Sequence, residues 1–565
     1  MYTTIDRLVC LGYFIFILIL GFWASRRQHA SVSGYFKAGN QLPWYTIGLS
    51  IVAAGISSEQ FVGEAGYAYK LGMPIANWEW LVFPSLSILL WIFIPLYVRH
   101  RVSTMPEYLE RRFGGRSRTL YASLTIASYI FVNFALVFYT GGYALEKMWG
   151  VNKLAAVWGL ALLTGLYTVY GGLAAVAWTS SLQCILLMVG GLYVFFAGMQ
   201  QTGWNVSAVL GEGQRAHLMT PADHEVPWTA LVILMLSTNV WYYATNQYIN
   251  QRCLAARDEW HAKMGVLLAG GLQILMPFAT TFPGMIYRVI DPGLEDPNAA
   301  YPLVVAAVVP AGLRGLVAAA VISAIMSTIS GLVNSTSTLV TLDIVRPWKG
   351  PSWSEERLVR VGRWSGALAL LFGALFAPVV MKWEIIFRYA QDIWAPMAAP
   401  VVVVFLAGAL WPAARERGAL ACLWLAIASV PFVLIKSLLA DRGVHFLPVN
   451  LENPMVLAGA VYLASMALMV CMDWKGSTGI NLLLSSVGIV PVFALSAWSP
   501  PLMAVLVLII TLALISGLAA SRRAVCANLW DQSMLSPESS SWIGNLWLWW
   551  LAMAAVLAGI YIYFW

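Results

Sequence analysis

Charged residues are scarce in this sequence. Only 10% of its 565 residues are acidic or basic, whereas 60% are hydrophobic. Soluble proteins carry about 25% charged residues, so the composition excludes an ordinary soluble chain. Apolar runs of the roughly 20 residues that a membrane-spanning helix needs recur from Leu8 to Trp565. These runs predict an all-α polytopic membrane protein in a lipid bilayer.

Long polar segments are missing as well. The longest loops between the apolar runs, 200–227, 289–311, 344–360 and 521–541, are too short to bury a core. A receptor, a kinase or a transporter-like sensor would need such a domain. The phosphate-binding sequence GxxxxGK[ST] does not occur either, so we expect an ion gradient to supply the energy. A sodium channel is a less favoured alternative.

Cysteine and histidine are few. The six cysteines lie in or beside apolar runs without a CxxC pair, which predicts free thiols and no structural metal. The six histidines lie in loops or at the ends of apolar runs, so no catalytic set shares one membrane depth and an enzyme is disfavoured. The net charge of +7 is spread over short clusters, which disfavours a nucleic-acid partner.

The basic clusters predict the topology. The first apolar run is followed by Ser25-Arg26-Arg27 instead of a cleavage site, so we expect a retained helix with an external N-terminus. About two thirds of the 33 basic residues then lie in cytoplasmic loops, as the positive-inside rule requires. We predict 16 spans, which also places the C-terminus outside. They are expected near 6–24, 44–70, 76–98, 119–148, 154–170, 177–199, 228–250, 264–288, 312–343, 361–381, 385–411, 418–440, 452–472, 480–498, 501–520 and 542–564.

The second span has polar residues at mid-membrane depth. Residues 55–60 read Gly-Ile-Ser-Ser-Glu-Gln, and charged or amide groups are costly there. A broken helix whose free carbonyls line a cavity would accommodate them. The alternative is a continuous helix packed by small residues, with Glu59 hydrogen-bonded to a neighbour.

The ninth span carries a series of hydroxyl groups from Ser327 to Thr338. The adjacent hydroxyls of Ser327 and Thr328, together with the carbonyls of a broken helix, would form a small all-oxygen cage that suits a hard monovalent cation. The hydroxyls from Ser330 to Thr338 can equally serve contacts between helices. Amides, acids and aromatic rings in other spans suit ligands rich in hydroxyl groups. These candidates are Asn77, Glu79, Asn133, the segment 238–247, Gln273, Gln391 and Asp392.

Eight motifs occur in order over about residues 30–440. They are Tyr35–Gly39, Ile56–Gly63, Trp78–Trp80, Met105–Phe113, Tyr129–Asn133, Tyr170–Trp178, Asn246–Ala256 and Asn334–Thr338. With them the sequence resembles the sodium/solute symporter family, in particular the branch of sodium/glucose and sodium/galactose cotransporters. The segment 542–565 resembles the family's final helix, whereas 480–520 looks like an inserted helix pair.

The resemblance implies a leucine-transporter-like core of two inverted five-helix repeats plus additional helices. On this basis, 1–43 holds the outer N-terminus, an accessory span and a cytoplasmic loop. The repeats are 44–199 and 228–411, joined by the external loop 200–227. Residues 412–565 form accessory C-terminal spans.

The resemblance also implies two ligand sites near the middle of the membrane. The sodium site would use the carbonyl oxygens of Ala53, Ile56 and Ala324 and the hydroxyls of Ser327 and Thr328. The sugar site would use Gln60, Glu79, Asn239, Gln273 and Gln391, with Tyr242 closing the inner side, Trp78 and Phe387 on the outer side, and Asn133 and Asn246 in support.

Five positions depart from the pattern of the galactose carriers. Gly55 stands where a helix-break asparagine is usual, Val82 where a serine contacts the sugar, and Gln273 where a lysine does. Ser180 replaces the aspartate of a Trp-Thr-Asp motif, so a second sodium site lacks support. Glu64 occupies a usually apolar position at the outer gate.

We therefore expect a secondary active transporter of the bacterial inner membrane that couples sodium entry to uptake of a neutral sugar or polyol. We expect it to act as a monomer or a weak homo-oligomer. Another small solute, such as an acidic sugar, an amino acid or a vitamin, is the alternative. Sialic-acid carriers of the family place an arginine in the fourth span, and Asn133 and its neighbours offer none.

Overall fold

The computed structural model describes residues 3–25, 31–221, 224–349, 352–380, 386–440, 442–445, 447–473 and 544–564, with a few residues between 499 and 512. Within this part, 11 helical segments are long and apolar enough to cross a membrane. They are Thr4–Ala24, Met73–Arg99, Gly115–Trp149, Lys153–Gln201, Glu259–Ile290, Leu313–Lys349, Glu355–Val379, Gln391–Leu410, Glu416–Ala440, Pro454–Asp473 and Leu546–Tyr563. Trp44–Gly55 and Pro297–Val308 are apolar but shorter.

The described residues do not confirm the count of 16 spans. Lys153–Gln201 is one helical segment bent at Gly172, where φ is 61°, and it covers the two spans expected near 154–170 and 177–199. Other expected spans are interrupted by breaks. The predicted helix pair 480–520 lies mostly outside the described residues.

The second span is a broken helix, as its polar sequence predicts. Trp44–Gly55 ends at Ile56, whose φ of −108° and ψ of 124° are extended. Helical backbone resumes in a π-helical turn, Glu59–Glu64, that continues into Ala65–Leu71. The break frees carbonyl groups from bonds within the helix. The alternative of a continuous helix is therefore wrong. We call residues 44–71 the first broken helix.

A further break occurs at Asn246, where the sequence pattern predicts a continuous span. Trp228–Ile233 leads into π-helical turns that end at Thr245. Asn246 is extended, with φ of −76° and ψ of 131°, and the helix Gln247–Leu254 follows. We call residues 228–254 the second broken helix.

The segment Leu313–Lys349, hereafter the central helix, lies in the middle of the molecule. In its most apolar stretch, 94% of the residues are buried. It packs against Lys153–Gln201 and against both broken helices. Thr4–Ser25 and Leu546–Tyr563, by contrast, expose many large apolar side chains, which suits helices at the lipid-facing surface. Both helix breaks thus lie beside a deeply buried helix.

Candidate functional site

The hydroxyl of Thr328 connects the central helix to the first helix break. Thr328 Oγ1 lies 3.3 Å from the carbonyl oxygens of Ala54 and Ile56, and 3.2 Å from that of Ala324. All four residues are buried. The carbonyls of Ile56 and Ala324 are two of the expected sodium ligands, so the structure brings two expected carbonyl ligands within reach of the expected hydroxyl ligand Thr328.

Ser327, the neighbouring expected ligand, is fully buried and faces another helix. Its Oγ lies 2.7 Å from Oγ of Ser180, which is also fully buried. The sequence did not predict this contact, because Ser180 stands where relatives carry the aspartate of a second sodium site. Ala53, the fifth expected ligand, is fully buried at the same helix end as Ala54. Hydroxyl and carbonyl oxygens of this kind fit a hard monovalent cation.

The carbonyl oxygen of Gly55, at the first break, accepts hydrogen bonds from two side chains. Gln60 Nε2 donates to it at 3.2 Å, and the hydroxyl of Tyr242 donates at 3.4 Å. Gln60 Oε1 in turn accepts from the backbone N–H of Ser57 at 2.7 Å. The amide of Gln60 is therefore engaged with the break, and contact with a substrate would require it to exchange these partners.

Close approach by Tyr243 explains the glycine at position 55. A Cβ atom on Gly55 would lie 3.0 Å from the Tyr243 hydroxyl, which is tighter than ordinary van der Waals contact. The tyrosine hydroxyl therefore occupies the space that a larger side chain at position 55 would need. Sequence reasoning did not single out this role for Tyr243.

Glu79 lies in a buried polar group that contains a second acid. Gln273 Nε2 donates a hydrogen bond to Glu79 Oε2. Glu64 is a second buried acid close to Glu79, and its Oε2 has no hydrogen-bond partner. Glu64 is 2% and Glu79 3% exposed. Glu64 thus lies beside the expected sugar-binding acid, and repulsion between two buried carboxylates favours a proton on one of them.

A cavity of about 220 Å³ joins two of the expected substrate residues, Trp78 and Gln391. Gln391 Oε1 is buried and has no hydrogen-bond partner. Glu225 and Met455 also line the cavity, and sequence reasoning missed both. They come from the loop before the second broken helix and from the accessory helix Pro454–Asp473, regions without a motif.

The expected asparagines occupy different settings. Asn239 is buried, and its Nδ2 has no hydrogen-bond partner. Asn133 Oδ1 accepts a bond of 3.3 Å from the Ser128 hydroxyl. Asn246 Oδ1 accepts from the Tyr129 hydroxyl at the second break, so it supports the backbone there. The side chain of Phe387 lies outside the described residues.

The hydroxyls beyond Ser330 mainly connect helices, as one of the two interpretations predicts. Ser335 donates to Gln251 Oε1 at 3.0 Å, and Gln251 Nε2 donates to Thr338 Oγ1 at 2.8 Å. Ser337 donates to the carbonyl of Gly362 at 2.7 Å. These bonds fix the second broken helix and Glu355–Val380 against the central helix.

Comparison with known families decides the identity. The model of the sodium:solute symporter family matches residues 35–426. This chain belongs to the sodium:solute symporter family. The expected family is therefore confirmed, and the family is one of transporters.

This sodium:solute symporter is similar in sequence to two curated cotransporters of different substrates. It is 33% identical over 462 residues to the sodium/glucose cotransporter of Vibrio parahaemolyticus, covering 76% of this chain and 84% of the relative. It is 36% identical over 454 residues to sodium/myo-inositol cotransporter 2 of Oryctolagus cuniculus, covering 73% of this chain and 67% of the relative. Among solved structures, a substrate-bound, outward-open Na+-coupled sialic acid symporter matches with a TM-score of 0.64 at 20% identity, covering 89% of this chain and 98% of that chain. This likeness confirms the leucine-transporter-like fold.

One end of the symporter's central helix is held by an ion-pair network. Arg118 Nε lies 2.8 Å from Asp343 Oδ1, which also accepts a bond of 2.8 Å from Thr104. Gln247, next to the second break, accepts from the backbone N–H of Met105 at 2.8 Å. These bonds connect the loop before Met105–Phe113 to both the central helix and the second broken helix. Movement of this loop away from the two helices would require these bonds to break.

Proposed function

We propose that this chain couples the inward flow of sodium to uptake of a neutral sugar or polyol by alternating access. The observation that carries the proposal is the contact of the Thr328 hydroxyl with the carbonyls of Ile56 and Ala324. An oxygen cage at a helix break, beside a buried central helix, suits a cation that binds and leaves without covalent chemistry. The names of the relatives, which transport glucose and myo-inositol with sodium, support the choice of a hydroxyl-rich solute.

In this proposal, the sodium ion binds the carbonyls of Ala53, Ile56 and Ala324 and the hydroxyls of Ser327 and Thr328. The contact between Ser327 and Ser180 supports an additional oxygen ligand from Ser180. Occupation of this cage would hold the first broken helix against the central helix. Sodium would thereby stabilise the first broken helix, which also carries Gln60 of the expected sugar site.

The substrate would bind between the two broken helices and the helix that starts near Gln391. The unpartnered polar atoms of Asn239 and Gln391 supply one donor and one acceptor, as sugar hydroxyls require. Glu79, held by Gln273, supplies a stronger acceptor. The rings of Tyr242 and Trp394, with centroids 6.2 Å apart, would cover apolar faces of a sugar ring.

We place the protein in the bacterial inner membrane with both termini outside, as a monomer or a weak homo-oligomer. The decisive experiment is an uptake screen in proteoliposomes, in which unlabelled sugars and polyols compete with one accepted labelled substrate. Uptake should require an inward sodium gradient and should be inhibited by hydroxyl-rich neutral solutes. Accumulation without sodium, or competition only by amino acids or acidic sugars, would contradict the proposal.

A further inference from the structure

A buried cation without a carboxylate partner lies between the second broken helix and the central helix. Arg252 is 1% exposed. Its Nη1 donates to the carbonyl of Tyr248, whereas Nε and Nη2 have no hydrogen-bond partner. Arg99 and Arg118, by contrast, are paired with Glu259 and Asp343 at 2.8 Å. Among the ion pairs of the described residues, none includes Arg252.

The central helix presents a second unpartnered group on the same side. A Cβ atom on Gly331 would lie 3.1 Å from Arg252 Nη2, so the guanidinium rests against helix backbone that bears no side chain. Asn334 follows three residues later, on the same helix face. It is 2% exposed, and neither its Oδ1 nor its Nδ2 has a hydrogen-bond partner. Arg252 and Asn334 are thus two buried polar side chains, both with unpartnered atoms, at the same face of the central helix.

The chemistry of these groups favours a negatively charged ligand. A buried charge is unfavourable unless an opposite charge compensates it, and water supplies hydrogen bonds without charge. The free N–H groups of Arg252 and Asn334 are donors of the kind that form strong, charge-assisted bonds to anions. Both side chains are almost fully buried, which favours an inorganic ion over an organic acid. We propose that Arg252 and Asn334 form a binding site for a small monovalent anion such as chloride.

The position of this site predicts a link to sodium. Ser327 lies four residues before Gly331 on the central helix, which is one turn or about 6 Å along the axis. An uncompensated guanidinium about one helical turn away along the axis would repel a sodium ion, and a bound anion would offset the repulsion. The anion and sodium should therefore bind cooperatively, each raising the affinity for the other. This link rests on the proposed function, whereas the anion site itself does not.

The anion site can be tested on the purified protein without sodium. Thermal unfolding would be measured in potassium chloride and in potassium methanesulfonate at equal ionic strength. Chloride should raise the unfolding temperature in a saturable manner, because it binds the folded state. Equal unfolding temperatures in the two salts at every concentration would overturn the proposal, whatever happens to transport.

Two variants identify the residues. Asn334→Asp places a carboxylate beside Arg252, so its unfolding temperature should no longer respond to chloride. Arg252→Gln removes the charge and should also abolish the response, which gives a second readout if the first variant folds poorly. Asn205→Asp is the matched control, since Asn205 lies on an exposed loop where aspartate caps the following helix equally well, and it should respond like the wild type. A chloride response that persists in both site variants would place the anion elsewhere and overturn the assignment.

The link to sodium has its own readout. In proteoliposomes, replacing chloride by methanesulfonate should raise the sodium concentration for half-maximal uptake severalfold for the wild type. The same replacement should leave Asn334→Asp unchanged. Chloride binding without any change in sodium dependence would refute the link but retain the anion site, so the two failures are distinguishable.

Discussion

The hydroxyl oxygens of Ser180 and Ser327 lie 2.7 Å apart, although the residues are separated by 147 positions in the chain. Ser327 is an expected sodium ligand, and this contact makes Ser180 a candidate for a further oxygen ligand. Ser180→Ala should therefore raise the sodium concentration for half-maximal uptake severalfold, less than removal of Ser327 itself. Sodium titration of uptake at saturating sugar measures this. An unchanged titration would show that Ser180 only packs against the cage.

Removal of both expected hydroxyl ligands should have a larger effect. In Ser327→Ala/Thr328→Ala the cage loses two oxygens, each contributing about 1 kcal/mol or more, so the half-maximal sodium concentration should rise at least tenfold. Alanine is well tolerated in helices, so the fold should persist. Ser365→Ala removes a hydroxyl that bonds within its own helix at 3.0 Å and serves as the control. Normal sodium dependence in a well-expressed double variant would remove these residues from the site.

Substrate uptake should depend on Gln60, Glu79 and Gln391. Each alanine substitution leaves a hydrogen-bonding group of the sugar or of the site unpaired, which costs about 1–3 kcal/mol and corresponds to a loss of roughly 5- to 150-fold in kcat/KM. The purified variants should still bind sodium, because none of these side chains belongs to the cage. Gln60 is the most informative of the three, since its amide is bonded to Gly55 and Ser57 in this structure. Wild-type uptake by all three variants would mean that the substrate cavity lies elsewhere.

The topology can be checked with reporters fused to the C-terminus. The helix pair predicted for 480–520 gives 16 spans and an external C-terminus, because Arg522 and Arg523 then lie in the cytoplasm with one span to follow. A reporter active only outside the cytoplasm should therefore give the signal. Activity of a cytoplasm-dependent reporter alone would contradict this topology, because it would mean an odd number of spans.

The two helix breaks show why the sequence predicted one feature and missed the other. The break at Ile56 follows a glycine and is surrounded by hydroxyl, acid and amide groups that a continuous span would bury at a cost. The break at Asn246 has no glycine or proline beside it. It depends on hydrogen bonds to Asn246. The Tyr129 hydroxyl donates to its side chain, and Asn250 Nδ2 donates to its carbonyl at 2.9 Å. The contact with Tyr129 joins segments that are distant in the chain, and such contacts leave no periodic pattern in the sequence.

The sequence also predicted only part of the candidate site. Thr328, Ile56 and Ala324 converge as the family motifs implied, because the motifs record a shared backbone geometry. The contacts that the motifs do not record are those at departures from the pattern. Tyr243 fills the space beside Gly55, and Glu64 lies beside Glu79. Both contacts involve a residue that departs from the family pattern, Gly55 or Glu64. The sequence does not show which side chains lie next to these two residues, whereas the structure does.

Gln273 determines how the acid pair responds to pH. Relatives with a lysine at this position can balance the charge of the acid, whereas the amide of Gln273 donates a hydrogen bond to Glu79 without neutralising it. The proximity of Glu79 to Glu64 favours a shared proton, since two buried ionised carboxylates repel each other. Loss of this proton at higher pH should disfavour the closed cavity, so sodium-driven uptake by the wild type should fall from mildly acidic to mildly alkaline pH.

Two substitutions should flatten this profile by different routes. Gln273→Lys supplies a positive charge beside Glu79, and Glu64→Gln removes one of the two acids, so neither variant needs a shared proton. Gln273→Lys should also shift the preference among sugars towards that of lysine-bearing carriers, whereas Glu64→Gln should not. The measurement is uptake of one substrate from mildly acidic to mildly alkaline pH at a fixed sodium gradient. Gln41→Lys, at an exposed position, is the control for the added charge. Gln183→Lys is unsuitable, because Gln183 is fully buried. If the wild type and both site variants gave superimposable profiles, Glu79 would have another partner for its charge and the assignment of the proton to this pair would fail.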